Sequence, residues 1–333
     1  MGDVRALPAF WADRDDGPAR SRPTLLSRGR DPTAAGGSAI LCAATEGEAI
    51  DMRWLEDPRM PWTDRGGRFS AFRAAVLAAL FIPPLVLLGR ALGDGLGPRP
   101  LTEAIHDSGD WAARLLVLTI VLTPLRQVSG RSELVGIRRM VGLAAFLTTV
   151  LHAVLYGFDQ DLDPGRIAFE ILVRPHLVIG AVTLVGLAGL AATSTDGAIR
   201  RMGAAAWRRL HGLVHPIAIL ALVHVFLQSK LDLAQPAILT GIACGGLAVR
   251  IAAERGDGGG LLGGLAASAT AAIAAAASEA VWFALRSGRS ALPLLAGNLD
   301  ASFRWPPSWV AAAVVAAAFA AARLLRRRRP TRG

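Results

Sequence analysis

Cysteine is scarce: the chain has two in 333 residues, Cys42 in a polar stretch and Cys244 inside an apolar one. A pair so placed has neither the spacing of a metal-ligand set nor the density of a disulfide framework, so both read as inert thiols. Charge is sparse too. Asp, Glu, Lys and Arg make up 19% of residues against 53% hydrophobic, and a mean hydropathy of +0.42 is too high for a soluble domain of this size. No glycine-rich strand-to-helix nucleotide motif follows the apolar runs, Gly256 to Gly260 being only a loop. That argues against a self-contained reductase carrying its own flavin and nicotinamide domain. No basic-then-apolar leader with a small-residue cleavage site is legible, so none is expected. The chain shows no nucleic-acid motif, and its net charge of +10 comes from arginine. In a chain this apolar, such an excess records orientation in a membrane.

What the chain has is apolar runs of about 18 to 22 residues, the length a bilayer demands. They predict an all-α fold, a polytopic transmembrane helical bundle. The expected spans are Phe72 to Leu92, Trp111 to Leu125, a third from Arg139 to Phe158, Leu172 to Thr193, Trp207 to Gln228, Pro236 to Ala253, Leu262 to Leu285 and Trp309 to Leu325. Pro83 and Pro84 interrupt the first, which a membrane helix tolerates where neighbours satisfy the freed carbonyls. Residues 1–67, rich in Arg, Asp, Gly and Pro and without a sustained period, read as a disordered arm. Residues 68–256 then form a six-helix core. Residues 257–333 form an extension with two Ala-rich spans and a polybasic end, Arg326 to Arg329.

The connections alternate in charge. The one before the second span carries Asp94, Glu103, His106, Asp107 and Asp110, and the next carries Arg126, Arg131, Arg138 and Arg139. Asp159, Asp161, Asp163 and Glu170 follow, and then Arg200, Arg201, Arg208 and Arg209. The positive-inside rule places the arginine connections in the cytoplasm and, with eight spans, both termini there as well. Arg286, Arg289 and Arg304, between the last two spans, run against the pattern.

The fifth span, WRRLHGLVHPIAILALVHVFLQ, holds three of the six histidines: His211, His215 and His224. As one continuous helix it would set His211 and His224 about 20 Å apart on one face. Ionisable groups in a span are functional candidates by default. His152 in the third span and His224 in the fifth fall at similar depth in the outer half, on separate helices. Two imidazoles facing each other can hold a haem iron from both sides in a bundle core, an arrangement suited to electron transfer. His211 lies near the cytoplasmic end and would serve a second, inner centre. The matching place on the third span is taken by Arg138 or Arg139. Those arginines either mark topology or pair with a haem propionate or a flavin phosphate. His215, before the helix-bending Pro216, is either packing or an alternative ligand. His176 reads as an interface residue, and His106 as a solvated loop residue or a propionate partner. Glu279 is the extension's one buried-looking acid, or a group near the membrane boundary.

The same residues carry a family resemblance. From about Pro98 to Arg255 the chain resembles the haem-binding membrane subunit of the periplasmic methionine-sulfoxide reductase system, the MsrQ (formerly YedZ) family, within the ferric-reductase-like transmembrane superfamily. The matching pieces are His106 with Ser108-Gly109 and Trp111, Leu122-Thr123-Pro124-Leu125, and Arg138-Arg139-Met140-Val141-Gly142-Leu143. Leu151-His152 with Tyr156, Arg174-Pro175, Thr193-Ser194, Trp207, Leu210-His211 and His224 complete the set. His176 and His215 stand where the family has aromatic residues, commonly tyrosine. The arm and the last 75 or so residues are additions.

The resemblance implies a six-helix haem b protein of the bacterial inner membrane, with one or two haems. His152, His211 and His224 match its haem-iron ligands. It implies an electron-transfer subunit of an oxidoreductase system rather than the catalytic subunit. Electrons would come from quinol or a cytoplasmic flavin reductase. They would go to a periplasmic molybdopterin-containing methionine-sulfoxide reductase that repairs oxidised proteins. FMN is implied as a further cofactor, with no residues here to place it on. A ferric or other small-acceptor transmembrane reductase is the alternative. A cofactor-free membrane transporter or scaffold is the alternative from another class. Met52 and Met60 both precede the first span as alternative starts, and the intact mass of the purified protein is expected to show which is used.

Overall fold

The computed structural model describes residues 60–327, apart from 65, 94, 230–231, 257–259, 299, 301 and 303–304. The arm therefore lies outside the described residues as far as 59, and Cys42 with it. Twelve helices follow among the described residues: α1 (Ala71–Leu92), α2 (Pro100–Ser129), α3 (Glu133–Asp159), α4 (Pro164–Val173), α5 (Pro175–Ala192) and α6 (Asp196–Met202), then α7 (Ala204–Gly212), α8 (Val214–Gln228), α9 (Ala234–Glu254), α10 (Leu261–Ser287), α11 (Leu292–Gly297) and α12 (Pro307–Arg327). Taking α7 and α8 together, eight stretches are long and apolar enough to cross a membrane. The chain is a polytopic helical bundle.

Helix ends follow local chemistry. Pro100 opens α2 at its first turn, where a missing N–H leaves nothing unsatisfied. Gly130 closes it in the left-handed region at φ 67°, its N–H bonded to the Arg126 carbonyl. Gly288 ends α10 the same way at φ 65°. Asp163 caps α4, its carboxylate accepting from the N–H groups of Gly165 (2.8 Å) and Arg166 (3.2 Å). Before α1, the carboxylate of Asp64 accepts from the backbone N–H of Arg68 and of Gly66, and these bonds hold its pKa below the ordinary carboxylate range.

Three expectations need correction. The second span begins eleven residues before Trp111, at Pro100, so Glu103, His106, Asp107 and Asp110 ride on a helix rather than in a loop. Nothing between Pro100 and Pro124 breaks a helix, and the charges mark where α2 leaves hydrocarbon rather than where it stops. His106 remains exposed. The fourth span begins at Pro175, because Arg174 is forced to an extended backbone (φ −111°, ψ 109°) by the proline after it. Leu172 and Val173 belong to the separate helix α4. The fifth span is two helices meeting at Leu213, so the single face assumed for His211 and His224 is interrupted. Pro216 has no N–H to give the Gly212 carbonyl. The His215 ring supplies the donor instead, its Nδ1–H meeting that carbonyl at 3.0 Å.

The turn from α3 into α4 carries two consecutive non-glycine residues in the left-handed region, Asp161 (φ 57°) and Leu162 (φ 56°), each costing about 1–2 kcal/mol. The Leu162 N–H bonds back to the Gly157 carbonyl at 2.9 Å and closes the end of α3.

α2 is the most buried of the spans. On one side Leu115, Leu116 and Leu122 meet Ile137 and Val141 of α3, Leu187 of α5 and Ile217 of α8. On the other, Val128 joins a cluster with Val249 of α9, Ala267 and Ala271 of α10, and Val315 and Phe319 of α12. The second cluster is built from small residues, which let helices approach closely where lipid offers no hydrophobic drive. A Cβ at Gly241 would sit 2.6 Å from the Ala271 carbonyl and 2.7 Å from the Ala311 Cβ, whereas one at Gly189 would meet nothing within 4 Å. Gly241→Leu is expected to lose about 1–3 kcal/mol or more by overpacking, with Gly189→Ala unchanged or slightly more stable. Thermal melts followed by size exclusion in detergent would show it; equal midpoints for both variants would contradict the close contact.

Candidate functional site

His152, on α3, and His224, on α8, come together with ring centroids 6.3 Å apart and ring planes at 84°. Each ring is anchored to the backbone of another helix. His152 Nδ1 lies 2.8 Å from the Ile105 carbonyl of α2, and His224 Nδ1 lies 2.7 Å from the His176 carbonyl of α5. A carbonyl can only accept, so both rings carry their proton on Nδ1, and Nε2 keeps its electron pair. No hydrogen bond involves either Nε2 among the described residues. Two glycines back the rings: a Cβ at Gly109 of α2 would lie 3.0 Å from His152 Cε1, and one at Gly180 of α5 would lie 2.9 Å from His224 Cε1. Four helices thus converge, two giving rings and two giving a carbonyl and a gap.

The pair suits a metal held between two imidazoles. Ring centres 6.3 Å apart leave between them the room that one metal atom bound by both imidazoles would take. Donation of the other ring nitrogen to a carbonyl is the usual outer-shell partner of a metal-bound histidine. No group of three or more His, Cys, Asp or Glu side chains gathers as a metal site among the described residues. Two protein ligands leave the remaining positions to a planar macrocycle, so the residues fit haem better than a bare ion.

His211 stands apart from the pair. It stacks on Trp207 at 3.9 Å and 23°. Its Nδ1 faces the Trp207 carbonyl at 3.2 Å, and its Nε2 lies 3.3 Å from Ser194 Oγ, whose own hydroxyl is directed to the Leu190 carbonyl at 2.7 Å. Arg139 pairs with Asp196 at 2.8 Å. Arg138 is half-buried, makes no ion pair among the described residues, and lies in electrostatic range of His211 and Arg250. Both nitrogens of His215 are engaged, one by Gly212 and the other with Arg250 Nη1 at 3.5 Å. Glu279 is buried at 2% exposure and accepts from Asn298 Nδ2 at 2.9 Å.

Sequence reasoning missed the two carbonyls and the backing glycines. Backbone acceptors leave no residue-type signal. Gly180 had one: a glycine inside a span marks a close approach. His176 enters the site by its carbonyl, with its ring tilted 41° to that of His224 and 6.4 Å away, not as a bystander at the interface.

Residues 108–222 of this multi-pass helical bundle match the family described as ferric reductase like transmembrane component. The chain belongs to the MsrQ family of protein-methionine-sulfoxide reductase heme-binding subunits. The Rhodospirillum rubrum protein of that name is 40% identical over 190 residues, 56% of this chain and 88% of the relative. The one from Xanthomonas campestris pv. campestris strain 8004 is 39% identical over 181 residues, 52% of this chain and 80% of the relative. No solved structure matches.

In detergent-solubilised protein labelled with ¹⁵N-histidine, and assigned with His152→Gln and His224→Gln, both residues are expected as Nδ1–H tautomers at neutral pH. An Nε2–H tautomer at either would contradict the anchoring described here.

Proposed function

We infer that this chain is a haem b electron-transfer subunit of the bacterial inner membrane, with His152 and His224 as the residues that would hold one haem iron. The observation that carries this is the facing pair, 6.3 Å between centroids, with both Nδ1–H groups committed to helix carbonyls. The names of the MsrQ relatives, which describe heme-binding subunits of a methionine-sulfoxide reductase, support the same reading. In it, residues 68–256 form the haem-binding domain and 257–333 an extension, of which α10 and α12 pack on the domain.

Haem bound there supplies a one-electron iron centre. The chain's own residues do the rest. Ile105 and His176 hold each imidazole in the tautomer that offers Nε2 and raise its basicity. Gly109 and Gly180 leave room for the rings. The apolar walls of α2, α3 and α8 keep water from the pair. His211 is the third ligand candidate, for an inner haem; there it would exchange its contact with Ser194 for the iron. Electrons enter from quinol or a cytoplasmic flavin reductase on the arginine-bearing side, where both termini lie. They leave on the other side to a periplasmic molybdopterin-containing methionine-sulfoxide reductase. FMN, which the family resemblance implies as a further cofactor, is assigned to no residues of this chain.

Reduced-minus-oxidised spectra with a haem-to-protein ratio test this. His152→Ala and His224→Ala are each expected to lose the low-spin b-type signal. Gly180→Val, which drives a side chain into the His224 ring, is expected to lower haem retention by about tenfold or more. A separate partial loss in His211→Ala marks a second haem. Wild type without haem, at good expression and haem supply, sinks the reading.

A further inference from the structure

α4 is ten residues long, about 15 Å, half of what a bilayer core requires. It does not cross. None of its residues is buried, and among the elements it packs on α5. Its composition is nonetheless that of a span. On a helical wheel Arg166 and Glu170 share one side, Arg174 just past the helix end pairs back to Glu170, and apolar residues take the rest of the circumference. Ile167 and Ile171 are half-buried toward the bundle. Phe169, Leu172 and Val173 point away from it with 64%, 78% and 52% of their surface exposed. Helices of this pattern lie in the plane of a membrane surface, with the apolar face in the headgroup–acyl boundary.

The polar stripe is already neutralised. Arg174 pairs with Glu170, and Arg166 pairs with Asp161 at 3.2 Å. Nothing on this helix therefore recruits an anionic partner, and the drive left to it is burial of apolar surface. α4 packs on α5, and the spans on either side of it carry exposed apolar residues too, Phe158 at the end of α3 and Val178, Val182 and Val185 along α5. Spans of a bundle turn such residues to lipid, and a helix packed against one of them at its end meets the same bilayer.

We propose that α4 is an interfacial anchor: the face made by Phe169, Leu172 and Val173 lies in the phospholipid headgroup–acyl boundary, on the side of the membrane where the His152/His224 pair sits, and binds lipid regardless of headgroup charge. The side follows from connectivity. α4 ends at Val173, and three residues on is His176, whose carbonyl accepts the hydrogen bond from His224 Nδ1–H. A lipid-seated α4 thereby fixes the first turn of α5 and the carbonyl it presents. This goes beyond the electron-transfer reading and does not depend on haem.

The test uses the full chain in nanodiscs of phosphatidylcholine, with and without phosphatidylglycerol. Single nitroxide labels are placed by Phe169→Cys, Leu172→Cys and Arg166→Cys in a Cys42→Ser/Cys244→Ser background, with Val182→Cys as the lipid-facing reference. Relaxation by oxygen, which partitions into acyl chains, is compared with relaxation by a water-soluble nickel chelate. The labels at 169 and 172 are expected to match the reference, with an oxygen-to-nickel ratio at least about fivefold above that at 166, in both lipid mixtures. Nickel access at 169 and 172 equal to that at 166 overturns the proposal and leaves the face free for a protein. A ratio that rises more than about twofold with phosphatidylglycerol overturns its charge independence.

Discussion

A backbone carbonyl inside hydrocarbon has no water to turn to, and each one that a helix leaves over must find a donor in the protein. The site draws on the complementary resource, because a carbonyl inside a helix keeps a second lone pair beside its own ladder bond. The two imidazoles at the centre of the site are aimed by carbonyls, those of Ile105 and His176. Ser108 donates its hydroxyl to the same Ile105 carbonyl at 2.9 Å, and threonines and serines along the spans bond back one turn, as Thr119 does to Leu115 at 2.8 Å. A histidine so tied is oriented by main chain, which side-chain substitution elsewhere moves little. The ring is therefore placed by the helix packing itself.

That packing rests on small residues. The extension helices α10 and α12 meet α9 and the C-terminal half of α2 through alanines at 0% exposure, Ala267, Ala271, Ala275 and Ala311. It reaches the histidine-bearing helix as well: Trp282 of α10 stacks near Phe226 of α8 at 5.3 Å, two residues beyond His224. At the other end of the extension, Asn298 bonds to Glu279, to the Leu294 carbonyl and to the Ser308 N–H, so one carboxamide links α10, α11 and α12. The added helices are thus a wall of the bundle and share its core, although the matched family region ends at residue 222.

Much of this was legible in the chain. The eight spans follow from run length alone, because hydrocarbon thickness imposes one scale on all of them. The pairing of His152 with His224 followed from depth, which charge alternation supplied. Helix boundaries were less legible where charge and helicity part company. Glu103, Asp107 and Asp110 look like a loop by polarity yet continue α2, since nothing there competes with helix formation. α4 was hidden because its apolar residues merge with those of the next span, and only Pro175 marks the division. The split at Leu213 needed the consequence of Pro216 to be followed back four residues to a carbonyl.

That last feature bears on how the chain tolerates change. Position 215 is needed as a donor because position 216 is not one. Without the imidazole the Gly212 carbonyl loses that donor. With an ordinary residue at 216, the main-chain N–H returns and the imidazole becomes redundant. The effect of replacing either residue thus depends on the identity of the other, so the two form an epistatic unit, and drift at one site is permissive or damaging according to the history of its neighbour.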